Sequence, residues 1–134
     1  MIVVDTNIIG YLYLASGHSA QADQAFIKDP HWTAPVLWRR ELRNVLVLYA
    51  RKKILSLSES LQIMENASQL MNGREYEVTS TNVISLAVGS KCSAYDCEFV
   101  SLAKDLGVPL VTVDKQILSQ FPETAIALEA FISE

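Results

Sequence analysis

Apolar residues along the chain alternate between short β-branched runs and longer stretches of helical period. Ile2-Val3-Val4 is such a run, stopped by the polar trio Asp5-Thr6-Asn7. Ile8, Ile9, Leu12 and Tyr13 follow at helical spacing and predict a helix that ends by Gly17. Ser19 to Lys28 predicts a second helix, closed by Asp29-Pro30, and Trp32-Thr33-Ala34 a small strand. Pro35 fits the first position of a long helix running to about Lys52. Ser58 predicts the next helix start, with Leu61, Met64, Ala67 and Leu70 on one face and Asn72-Gly73 as its stop. Residues 75–78 are β-like, 81–89 helical, and Ser93 to Leu106 a clear helix ended by Gly107. Pro109 to Val113 is the most strand-like segment, followed by a short helix to Gln120, a strand near 125–128 and a terminal helical turn. Short strands separated by helices imply βαβ crossovers and a parallel sheet, an α/β domain. In such sheets functional groups gather beyond the carboxyl ends of the strands, at a topological switch point.

Composition narrows the class. At 134 residues, 50% hydrophobic and 19% charged, the chain is no disordered tail, and its length predicts one domain over 1–134. A domain of this size needs no disulfide or structural metal to fold. No apolar run is long enough for a membrane span, and Met1 to Asp5 lacks the basic region of a signal peptide. Cys92 and Cys97 match no zinc spacing. The expectation is a soluble cytoplasmic domain without membrane contact.

The net charge of −4 argues against a generally basic nucleic-acid binder, yet the charges are unevenly spread. Arg39, Arg40, Arg43, Arg51, Lys52 and Lys53 fall together, with Glu41 as the only acid among them. Such a stripe is either a solvated helix face or a track for a polyanion.

Four acids occupy positions suited to chemistry. Asp5 and Asp114 stand at the carboxyl ends of the first strand and of Leu110-Val-Thr-Val113, where each could also cap the helix that follows. Asp96 stands three residues after Ser93, as in a capping box. Glu41 has Leu37, Trp38, Asn44 and Val45 as helical neighbours, so its carboxylate needs donors or a cation from elsewhere in the fold. Asp96 is set similarly among Cys92, Ser93, Phe99 and Val100, whereas Glu98 points roughly opposite and is expected to be solvated. Were the four acids to converge within about 5–6 Å, each pair would repel by about 3 kcal/mol at an effective dielectric near 20. Such a cluster must bind cations or keep some carboxyls protonated. An all-oxygen set suits Mg²⁺ or Mn²⁺ rather than zinc, and His18 and His31 are given no role.

Taken together, Met1-Ile-Val-Val-Asp-Thr-Asn7, Arg40-Glu-Leu42, Tyr95-Asp-Cys-Glu-Phe-Val-Ser-Leu-Ala103 and Leu110-Val-Thr-Val-Asp114 resemble the PIN domain. In length and order they resemble the VapC toxins of bacterial and archaeal toxin–antitoxin pairs. The resemblance covers essentially the whole chain. It implies a central parallel sheet of four to five short strands flanked by helices, and a Mg²⁺- or Mn²⁺-dependent endoribonuclease. Carried over by motif, the metal-site and catalytic acids are Asp5, Glu41, Asp96 and Asp114, with Asn7 and Thr112 as polar supports. Some members carry a further acid where this chain has Ile117, which favours a single ion.

On that resemblance Asp5, Asp96 and Asp114 hold the metal, and Glu41 holds or deprotonates the attacking water. Arg39, Arg40 and Arg43 are expected to steady the RNA backbone. The resemblance further implies products ending in 5′-phosphate and 3′-hydroxyl, a homodimer, and an inhibitory antitoxin. Tyr11 to Leu14 read as bulky residues exposed for contact with another chain. A receiver domain is disfavoured because Asp5 is followed by Thr6-Asn7 rather than a second acid, and a haloacid-dehalogenase-type phosphatase because position 7 is Asn. A PIN-fold protein that binds without cutting stays open as the alternative.

Overall fold

The computed structural model describes residues 1–134. In chain order the elements are β1 (Ile2–Val4), α1 (Thr6–Tyr11), α2 (Ser19–Lys28), β2 (Trp32–Pro35), α3 (Leu37–Arg51) and α4 (Leu57–Leu70). They continue with β3 (Glu75–Tyr76), α5 (Ser80–Val88), α6 (Ala94–Leu106), β4 (Leu110–Thr112), α7 (Lys115–Gln120), β5 (Ala125–Ala127) and α8 (Leu128–Ser133). The five strands form one sheet in the order β3-β2-β1-β4-β5, every pair parallel. Ile2 lies beside Trp32, Val3 beside Leu110, and Leu110 beside Ala125.

Ile2, Val3, Val4, Leu110 and Val111 are buried, as central parallel strands covered on both faces require. The layers are built by α6 against β1, β2 and β4, by α3 against β2, α1 and α4, and by α8 against β4, β5 and α2. Trp32, Trp38, Leu42, Phe99 and Val100 fill the space between. From β1 the sheet grows through β2 to β3 on one side and through β4 to β5 on the other. The switch point therefore lies between β1 and β4, and the residues just past their carboxyl ends flank it.

Three local differences from the sequence expectation have clear causes. Pro35 closes β2 instead of opening the helix, and the following Val36 N–H donates to Tyr76 O at 3.1 Å. Ala34 and Val36 on either side donate to Arg74 O and Tyr76 O, so the bonds towards β3 do not need the N–H that Pro35 lacks. The helix predicted from Ser58 starts earlier: Ser56 Oγ accepts from Glu59 N, and Glu59 returns the bond to Ser56 N, a complete capping box. Tyr11, Leu12 and Tyr13 are half-buried against the core and Leu14 is buried, so they form no open apolar face. Exposed apolar side chains gather instead around the α3–α4 connection, at Val47, Leu48, Ile54, Leu57 and Leu61.

Candidate active site

Asp5 is the residue after the central strand β1 and the N-cap of α1. It is only 7% exposed. Its Oδ1 accepts from the Ile8 N–H at 3.2 Å, which is the capping role, while Oδ2 accepts from the Thr112 hydroxyl. Thr112 ends β4, and the same hydroxyl accepts from the Asp114 N–H at 3.0 Å. One side chain thus ties the two strand-end acids across the switch point. Asp114 in turn caps α7, its Oδ1 accepting from the Ile117 N–H at 2.9 Å. Capping and site formation are here the same geometry: a carboxylate that caps with one oxygen keeps lone pairs for a ligand.

The other two acids come from helices. Glu41, on α3, is half-buried and accepts at 2.6 Å from the hydroxyl of Thr6. That hydroxyl is the donor its apolar neighbours could not supply. Asp96 sits in the first turn of α6, where its N–H donates to Ser93 Oγ at 3.1 Å. All four acids line one cleft of about 520 Å³, together with Asn7, Arg40, Asn44, Tyr95 and Phe99.

Electrostatics in the cleft follow from burial and like charge. Burial pushes the Asp5 carboxyl up to about 6, against the lowering effect of Thr112 and Ile8, with the charges of Asp114 and Glu41 adding to the rise. Glu41 is raised by burial and by Asp96, with Thr6 opposing. Asp96 is raised by burial and by Asp114, with Ser93 opposing. None of the four is in a salt bridge. No three His, Cys, Asp or Glu side chains stand in closed ligand geometry; the four carboxylates are spread around the cleft, near enough to repel. Their donors are all oxygen, with neither His nor Cys among the lining residues, so the set fits a hard divalent cation such as Mg²⁺ or Mn²⁺.

Of the three arginines expected on RNA, Arg40 alone lines the cleft. Arg43 is exposed and lies outside it. Arg39 points elsewhere because its guanidinium is engaged. Nε and one terminal nitrogen donate to the Glu75 carboxylate at 2.6 and 2.7 Å, and the other donates to Ser68 Oγ at 3.0 Å. Trp38 Nε1 donates to Glu75 as well, at 2.9 Å. The group fastens α3 to β3 and α4, a structural duty in place of the expected RNA contact. Glu98 also departs from expectation: it is half-buried and lines a smaller cavity with Arg40, raised by burial while Arg40 opposes. Thr6, Asn44 and Tyr95 were absent from the sequence-derived site. Thr6 carried a readable signal, since it falls between two candidate site residues at a strand end.

Arg39 yields a testable distinction. The paired Arg39 holds Glu75 below its ordinary value, so the pair stabilises above about pH 4.5 and that contribution fades as pH falls through the lowered folded value. Glu75→Gln is expected to lose roughly 1–2 kcal/mol at pH 7 in urea denaturation, with the deficit shrinking in acid and nucleic-acid binding unchanged. Stronger RNA binding by Glu75→Gln with unchanged stability would return the released Arg39 to the substrate.

A family model described as PIN domain matches residues 2–124. Ribonuclease VapC3 of Pyrobaculum aerophilum is 27% identical over 124 residues, which span 90% of this chain and 95% of that protein. Among solved structures, PAE2754 from Pyrobaculum aerophilum superposes with a TM-score of 0.78 at 20% identity, covering 98% of this chain and 93% of the other. FitAcB from Neisseria gonorrhoeae gives 0.65 at 18% identity, covering 95% and 96%. At these identities the two structural likenesses are likenesses of fold.

Proposed function

The chain belongs to the PIN-domain family, and from that premise we propose that it is a Mg²⁺- or Mn²⁺-dependent endoribonuclease acting as the toxin of a VapBC-type toxin–antitoxin pair. One observation carries the reading: four carboxylates delivered by four separate elements line a single cleft with no salt bridge to any of them. Helix capping accounts for Asp5 and Asp114 individually, but not for Glu41 on the apolar side of α3. Similarity to a protein named as a ribonuclease supports the same conclusion.

Asp5, Asp96 and Asp114 would hold the ion. When bound, a divalent cation lowers the pKa of water and neutralises charge on the phosphoryl oxygens. Glu41, oriented by Thr6 and raised in pKa, is placed to accept the proton of the attacking water. Thr112 keeps Asp5 and Asp114 in register, and Asn7 adds a neutral oxygen at the rim. Arg40 steadies the phosphate from the α3 wall. Attack by water on phosphorus with departure of the 3′-oxygen, which takes up a proton, leaves the ribose 2′-hydroxyl idle and gives 5′-phosphate and 3′-hydroxyl ends.

A small antitoxin and a second copy of the chain are the expected partners. The exposed apolar side chains at Val47, Leu48, Ile54, Leu57 and Leu61, bordered by Arg51, Lys52 and Lys53, support burial against another chain. No helix is long and apolar enough to cross a membrane.

The test is calorimetric titration of Mn²⁺ into chelator-stripped protein, beside end-group analysis of RNA incubated with the loaded protein. Saturable binding and fragments with 5′-phosphate are expected. Metal binding without cleavage of any cellular RNA would favour a PIN-fold binding protein, and cyclic phosphate ends would refute the water mechanism.

A further inference from the structure

The cleft poses a physical problem for a polyanion, and one residue answers it. Among its lining side chains four are acids and one, Arg40, is a base. With four acids against one base the cleft itself offers phosphate little net attraction, so contacts that are not ionic, such as base stacking, add to the affinity for a nucleic-acid strand there. Tyr95 is the one aromatic residue among the large exposed side chains, 63% exposed. It lies on the cleft wall, immediately before Asp96 in the first turn of α6. No hydrogen bond engages its hydroxyl, and its ring has no aromatic partner; the chain's ring pairs are Tyr11 with His18 and Phe26 with Trp32. Phe99, one turn further along α6, is buried and continues the same apolar wall into the cleft. Arg40 and Asn44 of α3 line the same cleft.

We propose that Tyr95 is a base-stacking platform that selects single-stranded RNA, seating an unstacked base beside the phosphate brought to the four acids. A ring free on its face and fixed at its base by helix α6 is suited to this, because every base offers a π-face and no hydrogen-bond pattern is read. Inside a duplex the same base is already stacked and hidden, so the platform discriminates by strandedness. The proposal rests on the ribonuclease reading for its substrate but predicts binding independently of cleavage.

The experiment uses fluorescein-labelled oligouridine, the same strand annealed to oligoadenosine, and an oligouridine with abasic sites, each titrated by anisotropy against wild type, Tyr95→Ala and Tyr95→Phe. Titrations are run in chelator and again with Mn²⁺. Tyr95→Ala is expected to weaken single-strand binding about 10- to 100-fold, with Tyr95→Phe restoring it. Duplex and abasic strands should bind weakly and equally to all three proteins. Where cellular RNA is cut, KM should rise for Tyr95→Ala while kcat moves within a few-fold. Thermal melting within a degree or two of wild type is expected for both variants, since the ring supports no core packing.

Equal oligouridine binding by wild type and Tyr95→Ala would overturn the platform and leave the nuclease standing if RNA is still cut. Failure of Tyr95→Phe to restore binding would also overturn it, by assigning the effect to the hydroxyl. Tyr95-dependent binding without any cleavage would uphold the platform and sink the nuclease. No binding of any strand, with or without Mn²⁺, would overturn the platform.

Discussion

Asp5→Asn is expected to stabilise the metal-free protein and to abolish its activity. Asp5 is buried, and its carboxyl is pushed up to about 6 from an ordinary 3.8. Folding therefore favours the protonated form. The cost of ionising Asp5 in the folded state is absent below about pH 4, grows as pH rises towards 6, and is fully present above it. Metal-free wild type should lose stability across that window, by roughly 1–3 kcal/mol. Asn keeps the Oδ1 that caps Ile8, and its amide donates to the Thr112 hydroxyl oxygen, with that hydroxyl turned away, so the cap survives and the charge goes. Melting at pH 7.5 in chelator should then rank the variant above wild type, with the gap closing near pH 4. Added Mn²⁺ should invert the order, because binding to the folded state stabilises only a protein that retains the ligand. Cleavage should fall at least about 10²–10³-fold, the scale for losing one preorganised electrostatic group. A variant less stable than wild type in chelator would show that ionising the buried Asp5 carries no net cost in the folded protein.

That opposition explains which parts of the protein could be read in the sequence. Asp5 and Asp114 were legible because a β-branched run followed by an acid is a local pattern, and parallel topology puts all such positions at one end of the sheet. Glu41 was legible through a contradiction, a carboxylate on an apolar helix face, although its donor Thr6 lies 35 residues away. The basic stripe misled for the same reason. Counting charge along α3 weighted Arg39 like Arg40, and nothing local announces that Glu75, 36 residues on, holds the Arg39 guanidinium in two bonds. Adjacent positions on a helix face about 100° apart, so one arginine meets the cleft and its neighbour meets β3. Periodicity also placed Tyr11 to Leu14 in a helix-like segment without saying which sides neighbours would cover. The start of α4 is legible locally: Ser56 and Glu59 stand at capping-box spacing, two residues ahead of Ser58.

Thr112→Val is the sharpest probe of how the cluster is held. Valine matches threonine in shape, and Thr112 is fully buried, so packing is retained while the hydroxyl is lost. That hydroxyl serves two groups, donating to Asp5 Oδ2 and accepting from the Asp114 N–H at 3.0 Å. Its removal leaves a buried carboxylate short of a donor and an N–H short of an acceptor, and drives the Asp5 carboxyl further up. A loss of roughly 2–4 kcal/mol in urea denaturation is expected at pH 8. Below pH 6 Asp5 carries its own proton, so part of that loss should disappear at pH 5. Thr112→Ser keeps the hydroxyl and should cost only about 1 kcal/mol for the missing methyl. In calorimetry the valine variant should bind Mn²⁺ about 10- to 100-fold more weakly, the usual effect of removing a partner that orients a ligand, while serine binds nearly as wild type. A stability deficit equal at pH 5 and pH 8 would mean that Thr112 supports the sheet rather than the charge of Asp5. Intact Mn²⁺ affinity in the valine variant would mean that Asp5 and Asp114 hold their positions through their helix caps alone.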